Sequence, residues 1–477
     1  MVGLNFYQMK RTQTSPALSR RDFLARFTAG SVFAFPLAAA ERRAEAKAIR
    51  LAHFAADVTP PVGHALMGGG IAPAAAIDDP LFAHGLVLLS QDKPIVLVSV
   101  DWCEIRNEAY DRWRSALAEA ANTEPARVLV TSVHVHDAPV VDLEAERILR
   151  SAQSPGSICD LDFHERAVQR VAQALRECLS SVQPATHIGL GQAKVVNVAS
   201  NRRYVRPDGL LTFGRTSSTR DPLAHEAPEG TIDPWLKTLS FWNQDQPLAA
   251  LHCYATHPMS YYGKGRVSSD FVGMARQRRQ REQSQVKQIY ASGCSGNVTA
   301  GKYNDGSPEN RAVLASRIHQ AMVEAWESTR RHRLGPIGFR TAKLRLEPRN
   351  TPGFTVEDLQ RRLASETKPF GQCLAALGLS WRKRADAGHL IDLPVVDFGA
   401  AQLLLLPAES YVEYQLFAQG LRPDSFVLTL GYGECAPGYI PSEQAWQEGD
   451  TNLNDWCWCA PGAQASMNRA LEAALKR

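Results

Sequence analysis

Short apolar runs alternate with longer amphipathic stretches from about residue 50 to the carboxyl end, and that alternation predicts the fold class. Runs rich in leucine and β-branched residues at 95–100, 128–134, 248–255, 287–291, 401–406 and 426–430 predict strands. Apolar positions recurring with a helical period predict helices over 107–121, 161–179, 273–282, 309–328 and 356–364. Strands interleaved with helices predict an α/β architecture, a large mixed β-sheet core flanked by helices. No internal repeat and no long low-complexity linker is visible. Residues 200–233, rich in Arg, Pro, Gly and Thr, predict a loop lying over one face, where a substrate could meet it.

Several of the strand runs end in polar residues: Asp101, the pair His134 and His136, His257, Ser292-Gly293 and Glu409. In open α/β sheets ligands bind beyond the carboxyl ends of strands, so groups distant in sequence can converge there. In an extended strand alternate side chains share a face about 6.6–7 Å apart, so His134 and His136 are expected to face one site. The pair also fits two histidines alternating on a half-solvated strand face. His257, again followed by proline, is a second strand-terminal histidine, whereas His252 lies inside its run and reads as a hydrogen-bonded core residue. Glu409 follows a leucine run that must be buried, and a buried carboxylate has to be paired, hydrogen-bonded or metal-bound. A His/His/Glu set with an open position suits zinc and metal-activated water, which points to a metallohydrolase.

The chain has 477 residues, 44% of them hydrophobic, enough for one large domain or two to three ordinary ones. A net charge of +4 without a basic, aromatic-interleaved cluster excludes a nucleic-acid partner, and the arginine-rich residues 276–281 read as a solvated helix face. Near the amino terminus, Arg20-Arg21-Asp22-Phe23-Leu24 precedes a modestly apolar stretch ending in Ala38-Ala39-Ala40. This order resembles a twin-arginine export signal with its cleavage site. It predicts a signal and linker over 1–45, a domain over 46–477, engagement of the twin-arginine export machinery, and a periplasmic or extracellular location in a bacterium. Nine cysteines, an odd number, argue against a disulfide framework. Cys103, Cys253 and Cys294 read as small buried residues. Cys457 and Cys459 could be oxidised or form a soft metal site, but without a second such pair they read as structural.

A series of short motifs runs along the chain in order. Asp57-Val58-Thr59-Pro60-Pro61-Val62-Gly63 opens it, and Asp79-Pro80-Leu81 follows. His134-Val135-His136-Asp137-Ala138-Pro139 is a histidine motif closed by proline. Asn201-Arg202, Ile232-Asp233-Pro234, Thr256-His257-Pro258 and Ser268-Ser269-Asp270 come next. Gly293-Cys294-Ser295-Gly296-Asn297, Leu406-Pro407-Ala408-Glu409 and Gly438-Tyr439-Ile440-Pro441 complete the series. Taken in order, these segments resemble the neutral, non-lysosomal ceramidase family, in particular its shorter bacterial members. The likeness runs from about Phe54 to about Trp446.

The resemblance implies a catalytic zinc held by His134, His257, Glu409 and Tyr439, the last assigned on resemblance alone. It implies catalytic roles for His136, as a proton shuttle beside the metal, and for Arg202, with Arg203 the competing choice. Asp270, Gly293, Ser295 and Asn297 are expected to bind substrate. The family's proposed active-site serine falls on Gly293, with neither Ser292 nor Ser295 in register, so metal-activated water is preferred over a serine nucleophile. A single catalytic domain is expected, with the metal site at the carboxyl ends of strands and without the family's carboxy-terminal β-sandwich. The implied activity is cleavage of an N-acyl amide, in ceramide or a related N-acyl lipid, with peripheral membrane contact as one route to the substrate. The alternatives are a non-catalytic metal-containing binding protein on the same fold, or a metallohydrolase for another amide or ester. Oligomeric state is not legible.

Overall fold

The computed structural model describes residues 49–476, and the segment expected to be an export signal and linker lies outside them. Within the described residues one pattern of elements occurs three times. Arg50–Asp57 (β1), Phe82–Leu89 (β2) and Ile95–Val100 (β3) pair antiparallel in succession. Helix Asn107–Ala121 (α1) then crosses over, and Val128–Ser132 (β4) returns parallel to β3. His187–Lys194 (β5), Trp235–Asn243 (β6) and Gln246–Tyr254 (β7) repeat the antiparallel run. Helix Asp270–Glu282 (α2) carries the chain to Lys287–Ser292 (β8), parallel to β7. Gly338–Leu344 (β9), Ile391–Asp397 (β10) and Ala401–Leu405 (β11) do so a third time. Helix Val412–Leu421 (α3) then leads to Phe426–Leu430 (β12), parallel to β11. Short strands Gln183–Pro184 and Arg330–Arg333 extend the first two sheets at β1 and β5. Parallel neighbours cannot be joined by a hairpin, which is why each sheet needs its helix.

The mixed β core flanked by helices is as expected, distributed over three sheets. Successive side chains of a strand point to opposite faces, and here both faces are apolar. Leu51, Leu86, Leu97 and Leu129 of the first sheet meet Leu239, Leu251 and Ile289 of the second and Leu403, Leu405 and Leu428 of the third in one buried cluster. The intervening Ala52, Val87, Val96, Val98 and Val130 face the other way, into a larger cluster with helical Trp113, Leu117, Val168 and Val171. Strands buried on both faces give near-continuous apolar runs, the very signal from which they were predicted. The ladder neighbours β1, β2, β5, β6, β9 and β10, with weaker runs, are new to the structure. Among the described residues no helix is long and apolar enough to cross a membrane.

Two expectations about charged residues are corrected. Within 276–281, Arg276 and Arg279 are buried, not solvated. Arg276 forms a two-pronged pair with Asp101, both oxygen contacts at 2.6 Å. The second correction follows from the first: Asp101, fully buried, ends β3 by tying the first sheet to α2 and does not reach the cleft. A guanidinium can be buried at a helix–sheet junction when a carboxylate of matching shape meets it there.

Candidate metal centre

β4 stops at Ser132, two residues short of the expected end, because His134 takes a left-handed conformation, φ 70°. His134 and His136 therefore do not share a pleated face. The kink delivers both to one cleft instead, with ring centroids 5.2 Å apart and planes nearly perpendicular. Such a conformation costs about 1–3 kcal/mol in a non-glycine residue, and surrounding contacts must hold it. His134 N–H donates to the Trp102 carbonyl at 2.9 Å, and its ring lies stacked on Tyr432 at 4.2 Å. Tyr432 and Ala408, from the third sheet, are left-handed too, φ 55° and 50°. Backbone hydrogen bonds link the segments that carry them: Ser132 N–H donates to the Tyr432 carbonyl at 3.0 Å, and Tyr432 N–H to that of Ala408 at 3.2 Å.

His257 follows β7 and Glu409 follows β11, so each sheet supplies a ligand-type side chain from a strand end. The Nδ1 of His134 lies 2.9 Å from the Cys103 carbonyl, and the Nδ1 of His257 lies 2.5 Å from the Ser295 carbonyl. A carbonyl can only accept, so both rings carry their proton on Nδ1 and turn Nε2 inward. There the two Nε2 atoms meet one carboxylate oxygen, Glu409 Oε2, at 3.4 Å and 2.9 Å. Nε2 and Oε2 are both acceptors, and only a proton or a cation can sit between them. The ligand atoms of His134, His257 and Glu409 all lie within 4.8 Å of one another and all three residues are buried, a donor set that fits a divalent cation such as zinc.

The electrostatics keep Glu409 a carboxylate among its imidazoles. Burial alone would raise the Glu409 pKa, but His134 and His257 outweigh it and hold the carboxylate well below its ordinary range. Burial opposes a charge on His134, yet Glu409 reverses the balance and raises it. His257 is pushed down to about 4 by burial and by the Arg202 guanidinium, against the pull of Glu409. Burial and the flanking His134 and His257 hold His136 well below the ordinary imidazole value, so it is neutral at neutral pH. Both ring nitrogens of His136 are buried without a hydrogen-bond partner.

Arg202 Nη1 donates to the Tyr439 hydroxyl at 2.8 Å, while Nη2 lies 3.4 Å from His257 Nε2. Burial raises the Tyr439 hydroxyl even with that guanidinium against it. Arg203, the competing choice, turns away to pair with Glu448 at 2.5 and 2.6 Å. His134, His136, Arg202, Glu409 and Tyr439 line a cavity of about 390 Å³.

The four residues expected to bind substrate do not line it. Asp270, the first residue of α2, ties the helix to its surroundings, accepting from Ser260 Oγ at 2.5 Å and lying 3.6 Å from Arg311. Gly293 is packed so closely that a Cβ there would meet Gln415 Oε1 at 2.6 Å. Ser295 bonds the Tyr432 hydroxyl at 2.7 Å and gives its carbonyl to His257. Asn297 caps α3, accepting from Val412 N–H at 3.0 Å, and its carbonyl takes Arg202 N–H at 2.8 Å. The loop carrying Gly293, Ser295 and Asn297 thus supports the centre from behind. Sequence reasoning missed Tyr432 and Glu104: the first follows β12 as the other groups follow their strands, and the second, buried at the cavity floor, pairs with Arg106 at 2.7 Å. As expected, His252 is a satisfied core residue, held by Thr238 and Gln288 at 2.8 Å each. All nine cysteines are free, Cys457 and Cys459 buried with sulfurs 3.5 and 3.2 Å from the Tyr439 carbonyl.

Two solved structures superpose on nearly the whole chain. Neutral ceramidase from Pseudomonas aeruginosa matches with a TM-score of 0.65 at 17% identity, over 90% of this chain and 74% of its own. A ceramidase complexed with C2 matches with a TM-score of 0.63 at 16% identity, over 89% and 74%. The fold is that of the neutral ceramidases. Sequence comparison alone does not reach it: no family model and no curated protein matches. In this ceramidase-like fold the cleft lies where three sheets present their strand ends, and the candidate metal centre is at its floor.

Proposed function

We propose that this chain is a zinc-dependent hydrolase of ceramidase type that cleaves an N-acyl amide bond. One observation carries the reading: two buried imidazoles, each fixed through Nδ1 to a carbonyl, aim Nε2 at the same buried carboxylate oxygen. His134, His257 and Glu409 would hold the cation, with Tyr439 the fourth ligand by resemblance. When bound, zinc supplies an electrophile for the carbonyl and acidifies water. Arg202, fixed against Tyr439, offers its guanidinium to the carbonyl oxygen as negative charge develops there. Both ring nitrogens of His136 are unpartnered and the ring lies beside His134 and His257, so it can accept a proton from the attacking water and return it to the departing amine. Balanced in this way, the water's oxygen joins the acyl carbon, the C–N bond breaks, and the amine leaves with one proton.

A serine nucleophile is not supported. Ser292 Oγ donates to the Val133 carbonyl at 2.7 Å, Ser295 is engaged with Tyr432, and a side chain at Gly293 would collide with Gln415. The test is metal analysis with turnover of a fluorogenic N-acyl amide panel. Stoichiometric zinc and activity, both lost in His134→Ala, are expected; turnover that survives His134→Ala refutes the reading, and zinc with no turnover on any amide or ester favours the binding-protein alternative. The amino-terminal Arg20-Arg21 pattern supports export by the twin-arginine route. Replacing both arginines with lysine should retain the protein in the cytoplasm, as fractionation would show.

A further inference from the structure

Two side chains of the cavity lining are left without a hydrogen-bonding role. Both ring nitrogens of His136 are buried and unpartnered. A neutral imidazole has one donor and one acceptor, and burying a polar group unpaired costs about 1–3 kcal/mol. Its aromatic neighbours Tyr262 and His257, at ring-centroid distances of 4.9 and 5.8 Å, supply no partner to either nitrogen. The Cys103 thiol, 2% exposed, lines the same cavity. It lies 3.8 Å from His134 Nδ1, whose proton already goes to the Cys103 carbonyl at 2.9 Å. An orphaned buried nitrogen in a native structure calls for a missing ligand, and a thiol beside it narrows what that ligand is.

We infer that Cys103 and His136 form a second metal seat in the cleft, which takes a soft cation such as zinc and blocks turnover when filled. Ligand atoms of Cys103, His134 and His136 all lie within 4.8 Å of one another. Zinc takes a thiolate sulfur at about 2.3 Å and an imidazole nitrogen at about 2.0–2.1 Å, so a cation between the two spans up to about 4.4 Å, nearly the whole of that range. A thiolate paired with an imidazole selects zinc or copper(I) over magnesium or calcium. On binding, the thiol proton leaves to solvent and the sulfur–metal bond takes its place. His134 is committed elsewhere, Nδ1 to the Cys103 carbonyl and Nε2 towards Glu409. With two protein ligands the new seat is weaker than the first centre and fills only in excess metal. The seat itself does not depend on the hydrolase reading. The block on turnover rests on that reading, because a metal on the His136 ring removes the nitrogen that carries the proton there.

The experiment is equilibrium dialysis of the purified, thiol-reduced protein against zinc, read by elemental analysis, with cobalt(II) substitution read by absorption. The parent should hold one zinc at limiting metal and two in excess. Cys103→Ser and His136→Gln should each stop at one, and either variant suffices should the other fail to fold. The second cobalt should bring a thiolate-to-metal charge-transfer band that is absent from Cys103→Ser and retained in the Cys457→Ser/Cys459→Ser double variant. On an N-acyl amide that the one-zinc protein cleaves, the second zinc should stop turnover. The half-inhibiting concentration should rise about tenfold or more in Cys103→Ser, since even groups that only orient a ligand shift metal affinity that far. One zinc at every concentration, a second zinc kept by both variants, or a band that follows Cys457 and Cys459 overturns the seat and leaves the hydrolase reading standing. Undiminished turnover as the second zinc binds overturns the block. No turnover at any zinc level overturns the hydrolase reading and leaves the seat, which stoichiometry and absorption read without catalysis.

Discussion

Replacing Tyr432 with leucine should weaken zinc binding by about 10- to 100-fold without unfolding the protein. Tyr432 is outside the proposed ligand set, yet it holds two of its members. Its ring stacks on His134 at 4.2 Å, with planes 18° apart, and its hydroxyl bonds Ser295, whose carbonyl fixes His257 Nδ1. A stacked aromatic pair contributes about 0.5–1.5 kcal/mol beyond its buried area. The hydroxyl bond contributes about 1 kcal/mol net. Together about 1.5–2.5 kcal/mol is at stake, in line with the effect of mutating groups that orient metal-ligating histidines. Tyr432→Phe keeps the stack and loses only the hydroxyl, so a drop of about fivefold is expected. Zinc Kd would be measured by competition with a chromophoric chelator, and thermal unfolding of the metal-free proteins would separate general destabilisation from loss of ligand positioning. If Tyr432→Leu retains zinc within twofold of the parent, the imidazoles are held by their carbonyls alone and the reasoning fails.

Three further outcomes are expected. His136→Gln should lower kcat/KM by about 10²–10⁴ while zinc content, read by elemental analysis, stays at one per chain; loss of the metal would make His136 a ligand. Asp101→Asn should destabilise the protein by about 3–5 kcal/mol in denaturant unfolding, because it leaves the buried Arg276 guanidinium uncompensated. Glu434 is a buried acid pushed up to about 7, chiefly by burial, against an unfolded value of about 4.3. Between those values the folded state binds the extra proton, so its contribution falls as pH rises from about 4 to 7. Glu434→Gln keeps an oxygen for the N–H groups of Asn107 and Ala436 and should therefore be more stable than the parent at pH 8 and equal to it at pH 4, as melting temperatures across that range would show.

The strands most legible in the sequence were those at the parallel edges, such as β3, β4, β11 and β12, because burial on both faces leaves an unbroken apolar run. β1 and β5 were missed where His53, Gly189 and Gly191 interrupt theirs. The recurrence of three sheets was invisible because it lies in hydrogen-bond topology, with no shared residues to mark it. At the site, His134, His257 and Glu409 were readable as strand-terminal groups, although the pleat argument for His134 failed at a left-handed conformation that even histidine adopts only uncommonly. Tyr432 carried no signal beyond its place after a strand. The loop from Gly293 to Asn297 was assigned to the substrate by family resemblance, yet its polar groups are engaged in the packing behind the histidines.

The three sheets each bring one side chain to the same point, and none of them holds a binding site alone. Until all three have docked the candidate site is incomplete, so under the proposed function a cation would act as a rivet through three otherwise separate hydrogen-bonded plates. On that proposal a lesion far away, in any junction between sheets, is expected to show first as faster release of the ion.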